Sequence, residues 1–206
     1  MAIRFAVEGD LRFISHHDSM RLFERALARA NLPVRFSSGF NPRPRLRLAL
    51  PRPVGVASRD ELLVVELSHE TDPAGAQDAL AAQMPEGITL LSAEMLADTD
   101  QRRPCEATFV LPITSDEADA VARRVSEFLA SDKVPVERID RKTKHRRSVD
   151  LRVFIKDARI DGSHLTWTQT VGQEGSARMG ELLDAWGMAA RDRLHQVLRV
   201  SVAYLS

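Results

Sequence analysis

The chain opens with alternation. Ile3, Phe5 and Val7 fall on one side of an extended segment, and Arg4 and Ala6 on the other. That pattern predicts a strand. Glu8-Gly9-Asp10 reads as a turn, and Leu11-Arg12-Phe13-Ile14 leads to a helix beginning at Ser15. Met20, Phe23, Leu27 and Ala30, with Leu22 and Ala26 beside them, form an apolar stripe at helical spacing. Asn31-Leu32-Pro33 ends it. After a segment bearing glycine and proline, Leu46, Leu48 and Leu50 alternate with Arg45, Arg47 and Ala49, the leucines predicted inward. Residues 61–67 read as a strand, 73–84 as a helix with Pro73 near its start, and 88–95 as a strand. The order is β-α-β-β-α-β, the ferredoxin-like unit.

The second half repeats the pattern. Residues 106–113 are strand-like, and Ser115-Asp116-Glu117 opens a helix to about residue 130 with Val121, Val125, Phe128 and Leu129 inward. Strands are predicted at 134–139 and 149–155, then at 165–171 after an Asp161-Gly162 hairpin turn. Helical pieces at 178–187 and 188–196 precede a closing strand at 197–205. The expected fold class is α+β, with two tandem ferredoxin-like halves built on antiparallel sheets. Residues 1–100 would form one half and 101–206 the other, with the seam at Gln101-Arg102-Arg103-Pro104.

Composition narrows the setting. Of 206 residues, 44% are apolar, enough for an ordinary core, and no apolar run reaches the length of a membrane span. The first residues show no signal-peptide pattern. Cys105 is the single cysteine, which excludes an internal disulfide and any multi-cysteine zinc or iron–sulfur site. A cytoplasmic location, no membrane, no metal and no cofactor are expected.

The formal net charge of +0 conceals blocks. Residues 1–60 carry +6, residues 61–100 carry −9 with no lysine or arginine, and residues 101–160 carry +4. Of 29 basic residues, 25 are arginine. Arginine grips phosphate with a planar fork and stacks on bases. A codon bias towards arginine would explain the ratio but not the clustering, which speaks of partners.

Three clusters carry candidate chemistry. In Ser15-His16-His17-Asp18, His16 with Asp18 would make a candidate acid/base pair, since histidine titrates near neutrality. Ser15 and Asp18 equally fit a capping box. His16 and His17 would stand at a helix N-terminus, where free amides favour an anion. His17, Arg21 and Arg25 share one helix face, and Arg29 extends the row. They read as either a ligand-binding face or a solvated one.

The second cluster is Ser38-Gly39-Phe40-Asn41-Pro42-Arg43-Pro44-Arg45. Ser38, Gly39 and Asn41 would let backbone approach a ligand closely, and Phe40 would stack on a base or plug the core. Arg43, Arg45 and Arg47 project every second residue, a phosphate track on an exposed sheet or a rigid loop with arginines in water. The third cluster is Arg141-Lys142-Thr143-Lys144-His145-Arg146-Arg147, followed by Asp150 and Arg152. It reads as a basic hairpin contacting RNA, or as a solvated loop.

Residues 11–18, 21–27 and the Leu32-Pro33 and Phe36-Ser37-Ser38-Gly39-Phe40-Asn41-Pro42-Arg43-Pro44 segments resemble the bacterial radical-SAM-linked family of unknown function. Val149-Asp150-Leu151-Arg152 and Ser176-Ala177-Arg178 resemble it too. The resemblance implies a stand-alone relative of proteins fused to radical SAM enzymes. Two positions depart from it: the family usually has Leu in place of His17 and His in place of Arg43. Arginine could replace a phosphate ligand but not a proton shuttle, so the second departure favours binding. With one cysteine, any radical SAM chemistry belongs to a partner.

The expected function is RNA binding, in RNA processing or modification, alongside a radical SAM enzyme. The alternatives are a protein–protein docking module for that enzyme and a metal-independent ribonuclease using His16. RNA binding predicts that the basic clusters converge on one surface.

Overall fold

The computed structural model of the protein describes residues 1–97, 100–140, 143–172 and 175–205. It is a mixed α+β structure whose strands pair mostly antiparallel. Two compact units divide it, Met1–Arg103 with the last residues from Tyr204, and Pro104–Ala203.

In the first unit, β1 (Ala2–Val7), α1 (His16–Arg29), β2 (Leu46–Leu48), β3 (Ala57–Val65), α2 (Pro73–Ala81) and β4 (Ile88–Glu94) follow in that order. The strands lie in the order β4-β1-β3, and β2 also pairs with β3. All three pairings are antiparallel. β1 is central and buried on both faces apart from half-buried Arg4. The strict one-sided burial suggested by its alternation therefore does not hold: Ala2 and Ala6 are small enough to be covered as well. Phe5 meets Phe23 of α1 edge-on, ring centroids 4.7 Å apart. Phe23, Ala26 and Leu27 bury the apolar stripe of α1 against β1 and β3. Each such large side chain contributes about 1.5–3 kcal/mol.

α1 starts where Ser15, in an extended conformation, accepts the Asp18 amide with its hydroxyl at 3.2 Å. The same hydroxyl donates to the Asp18 carboxylate at 2.6 Å. α2 starts likewise at Asp72, whose carboxylate accepts the Gly75 amide at 2.8 Å.

In the second unit, β5 (Arg103–Pro112), α3 (Ser115–Ala130), β8 (Ile155–Asp161), β9 (His164–Thr170), α4 (Met179–Ala185) and β10 (Leu198–Leu205) repeat the same succession. Their order, β10-β5-β9-β8, also repeats that of the first unit. The difference is a separate two-stranded arm between α3 and β8, β6 (Pro135–Ile139) paired with β7 (Arg146–Asp150). The single strand expected at 149–155 is broken. Asp150 accepts the amides of Val134 at 2.8 Å and Arg152 at 3.0 Å, and a 3₁₀ turn at Arg152–Phe154 follows. Late in the chain the helical stretch is short, α5 (Ala190–Arg193) plus a 3₁₀ turn at Leu194–Gln196.

Trp167 stacks on Phe109 and meets Trp186 edge-on at 5.3 Å, forming the centre of this core. No helix among the described residues is long and apolar enough to cross a membrane.

Candidate nucleic-acid interface

The arginine row of α1 lines a cleft in the first unit. Arg21, Arg25 and Arg29 follow at four-residue spacing along one wall, with Asp18 above them. Leu11, Leu22 and Met84 supply apolar surface, and the chain leaving α2 closes the far side. The cleft encloses about 470 Å³. Arg21 lies 3.9 Å from Asp18, both side chains exposed. Arg29 donates to the Gln83 carbonyl at 3.5 Å. Among the described residues, neither Arg25 nor Arg29 has a carboxylate partner. Cations near the carbonyl end of α2 also suit its dipole.

His16 and His17 stand at the first turn of α1, rings 6.2 Å apart. His16 borders a small enclosed cavity of about 20 Å³ with Ser19, Arg52 and Glu61, room for one water. Asp18 spends its hydrogen bond on Ser15, and no hydrogen bond joins it to His16. The Ser15 hydroxyl, with smaller help from Arg21 and His17, holds the Asp18 carboxyl below the usual carboxylate range.

The Ser38–Arg45 segment is the tip and returning side of a finger. The Arg35 amide donates to Glu66, and the Arg45 amide to Arg35, each at 2.8 Å. The Ser37 amide donates to the Arg43 carbonyl at 2.8 Å, and the Arg43 amide to the Ser37 hydroxyl at 3.0 Å. At the tip, Gly39 takes φ +128, open to glycine alone at little cost. Phe40 is 100% exposed, so it plugs no core. Ser38, Asn41 and the Arg43 side chain are exposed with it.

The arginines beyond the finger are placed differently. Leu46 and Leu48 pack on the core that holds Phe23 and Leu27. The two-residue strand period therefore sends Arg45 and Arg47 to the side of the sheet away from α1. Arg45 pairs with Glu66 at 3.1 Å, and Arg47 donates to the Gln101 carbonyl. Within this unit the basic groups therefore do not share a single face, and two of the three residues of the expected track are engaged.

In the second unit, Arg141 and Lys142 lie outside the described residues. Lys144 occupies the turn of the arm with φ +58. Arg146 pairs with Glu137 at 3.2 Å on one face of the arm, and Arg147 lies on the other, opposite Arg138. Arg152 is committed to structure: it donates to the carbonyls of Leu129 at 3.1 Å and Ile155 at 2.8 Å, bracing the break before β8.

Arg52 and Arg138 do not stand out in the sequence. Arg52 donates to the carbonyls of Leu11, Arg12 and Val56 at 3.1, 2.6 and 2.5 Å, holding the turn before α1. Arg138 is buried, and the signal for it is its place on the same strand face as Val136. No group of three metal-ligating side chains occurs among the described residues.

No curated protein matches the chain. A solved structure, the crystal structure of an unknown protein from Galdieria sulphuraria, matches over 100% of this chain and 97% of its own, at 12% identity and a TM-score of 0.25. So low a score carries no argument about fold or function. A family model spans residues 1–180, and on that ground the chain belongs to the family described as "Uncharacterized protein conserved in bacteria (DUF2344)".

Proposed function

We propose that the protein binds RNA through the α1 cleft of its first unit and acts in RNA processing or modification, in the cytoplasm, beside a radical SAM enzyme. The observation that carries the reading is the wall of Arg21, Arg25 and Arg29 above apolar Leu11, Leu22 and Met84. Arg25 and Arg29, whose guanidinium groups have no carboxylate partner among the described residues, and Arg21, only loosely paired with Asp18 at 3.9 Å, suit a sugar-phosphate backbone, and the apolar surface beside them suits a base. The partner enzyme rests on the resemblance of residues 11–44 and 149–152 to radical-SAM-linked proteins. We take the two units as ferredoxin-like halves, the second carrying an extra arm; the repeated strand order supports this. Recognition then needs no chemistry at His16, whose neighbour Asp18 is engaged by Ser15.

The test is RNA affinity as a function of salt for the protein and an Arg21→Glu, Arg25→Glu double variant. Binding should weaken steeply with salt. The variant should bind more weakly, with a salt slope shallower by about 1 for each phosphate it no longer holds. Equal affinity in both proteins would end the proposal.

One observation favours a second reading, a docking module for a partner protein. Phe40 at the finger tip is wholly exposed and Phe36 behind it is half-exposed or more. Phe40→Ala separates the two. Stacking on a base predicts a loss of about 1–3 kcal/mol in RNA affinity; docking predicts unchanged RNA affinity and loss of the partner enzyme.

A further inference from the structure

We infer that the β6–β7 arm and the segment before α4 form a binding pocket for a phosphate group. At its centre is a cross-strand pair. Arg138 of β6 stands directly opposite Arg147 of β7, so both guanidinium groups leave the same face of the arm. Like charges directly opposite one another are destabilising. Only one of the two is neutralised. Arg138, 6% exposed, makes a forked contact with Glu181 of α4, the shortest branch 2.6 Å, and also donates to the Ser176 carbonyl at 2.9 Å. The Arg147 side chain has no hydrogen bond or ion pair among the described residues.

A third arginine approaches from another segment. Arg178 reaches Glu181 only loosely, at 3.7 Å, and that carboxylate is already taken by Arg138. Arg138, Arg147 and Arg178 line one cleft of about 330 Å³ with His145 and Thr143 of the turn. Asp140, on the same rim, accepts the Thr143 amide at 2.7 Å. The cleft therefore holds more cationic groups than carboxylates, and its donors come from both sides.

Phosphate fits these donors better than carboxylate does. Two guanidinium forks, an imidazole and a hydroxyl offer more N–H and O–H groups than two oxygens can accept, while a phosphate group presents three or four. The Arg138–Glu181 pair also ties the arm to α4, so the main-chain positions that carry Arg147 and Arg178 are brought together before a ligand arrives. The pocket deepens the RNA reading by naming the group recognised in the second unit, but it does not depend on the α1 cleft.

The test titrates the ¹⁵N-labelled full chain with inorganic phosphate at constant ionic strength, balanced with chloride. We expect saturable shifts at the amides of 143–147 and at the Arg147 and Arg178 side-chain Nε–H groups. An Arg147→Gln, Arg178→Gln variant, with its remaining spectrum intact, should weaken the fit about tenfold or more. Linear, non-saturating shifts, or equal affinity in that variant, would overturn the pocket. A second arm compares a 5′-phosphorylated oligoribonucleotide with its 5′-hydroxyl twin, in the protein and in the Arg21→Glu, Arg25→Glu variant. If phosphate saturates the pocket while neither RNA binds, the RNA proposal falls and the phosphate site stands. If RNA binds but phosphate never saturates the arm, the reverse holds.

Discussion

At the scale of single residues, Asp18 serves two purposes, one through its main chain and one through its side chain. Its amide caps α1 through Ser15, and its carboxylate receives the Ser15 hydroxyl. That hydrogen bond favours the ionised form and lowers the pKa in the folded state. The unfolded chain titrates near pH 4. Asp18 therefore adds stability that is complete above about pH 4 and is lost as the pH falls through the lowered folded value. Asp18→Asn should remove that acid-side dependence and leave the slope of stability between pH 5 and 8 unchanged, as read from urea midpoints across the range. The Ser15 cap was legible in sequence because it depends only on neighbours three residues apart, but the reciprocal bond of a capping box is replaced: the Asp18 carboxylate takes the Ser15 hydroxyl. The fates of Arg45, Arg47 and Arg152 were not legible. Each is set by a carbonyl or carboxylate at least three and up to 54 residues away, and no local spacing encodes such partners. The same holds for Arg138, whose burial depends on Glu181.

Among elements, the turns are the places where one atom decides. Gly87 leads into β4 with φ +93, and a Cβ there would stand 2.8 Å from the Glu8 carbonyl oxygen. The Glu8 amide meanwhile donates to the Gly87 carbonyl at 2.8 Å, tying the end of β1 to the start of β4. Gly87→Ala combines a disfavoured backbone conformation with a clash against main chain. It should cost about 1–3 kcal/mol and lower the melting temperature. Gly162, at φ +57 with open space around it, makes the comparison: Gly162→Ala meets the backbone cost alone and should lower it less. Element order was largely readable here. Period-two and helical patterns place α1, α2, α3 and most strands within a few residues. The arm was half readable. Its basic turn was evident, but residues 149–155 carry strand-like side chains throughout, and only the hydrogen bonds from Val134 and Arg152 to Asp150 break them apart.

For the molecule as a whole, net charge is a poor guide to behaviour. The chain is formally neutral, with an isoelectric point near 7.0, yet its charge is sorted by region. At pH 7.0 a neutral protein with mixed charge should pass through a phosphate-bearing cation exchanger. This one should be retained at low salt and elute as salt rises. The Arg21→Glu, Arg25→Glu variant should emerge earlier by more than its changed net charge demands, judged against a variant with two glutamates placed on α3, Arg123→Glu and Arg124→Glu. The charge blocks carry the sign of this asymmetry but not its division between faces, because strand alternation sends Arg45 and Arg47 away from α1. The arm offers a different kind of opportunity. Pro135 lies across from Asp150, and the Leu151 amide donates to the Val134 carbonyl at 2.8 Å, so the chain departs and returns at almost the same point. Residues 135–150 are thus a natural cassette: a short glycine bridge in their place, with Glu181→Gln because Glu181 would keep only its loose contact with Arg178, should leave the four-stranded architecture whole. The same junction would accept a foreign hairpin, making it a graft site as well as a place to cut.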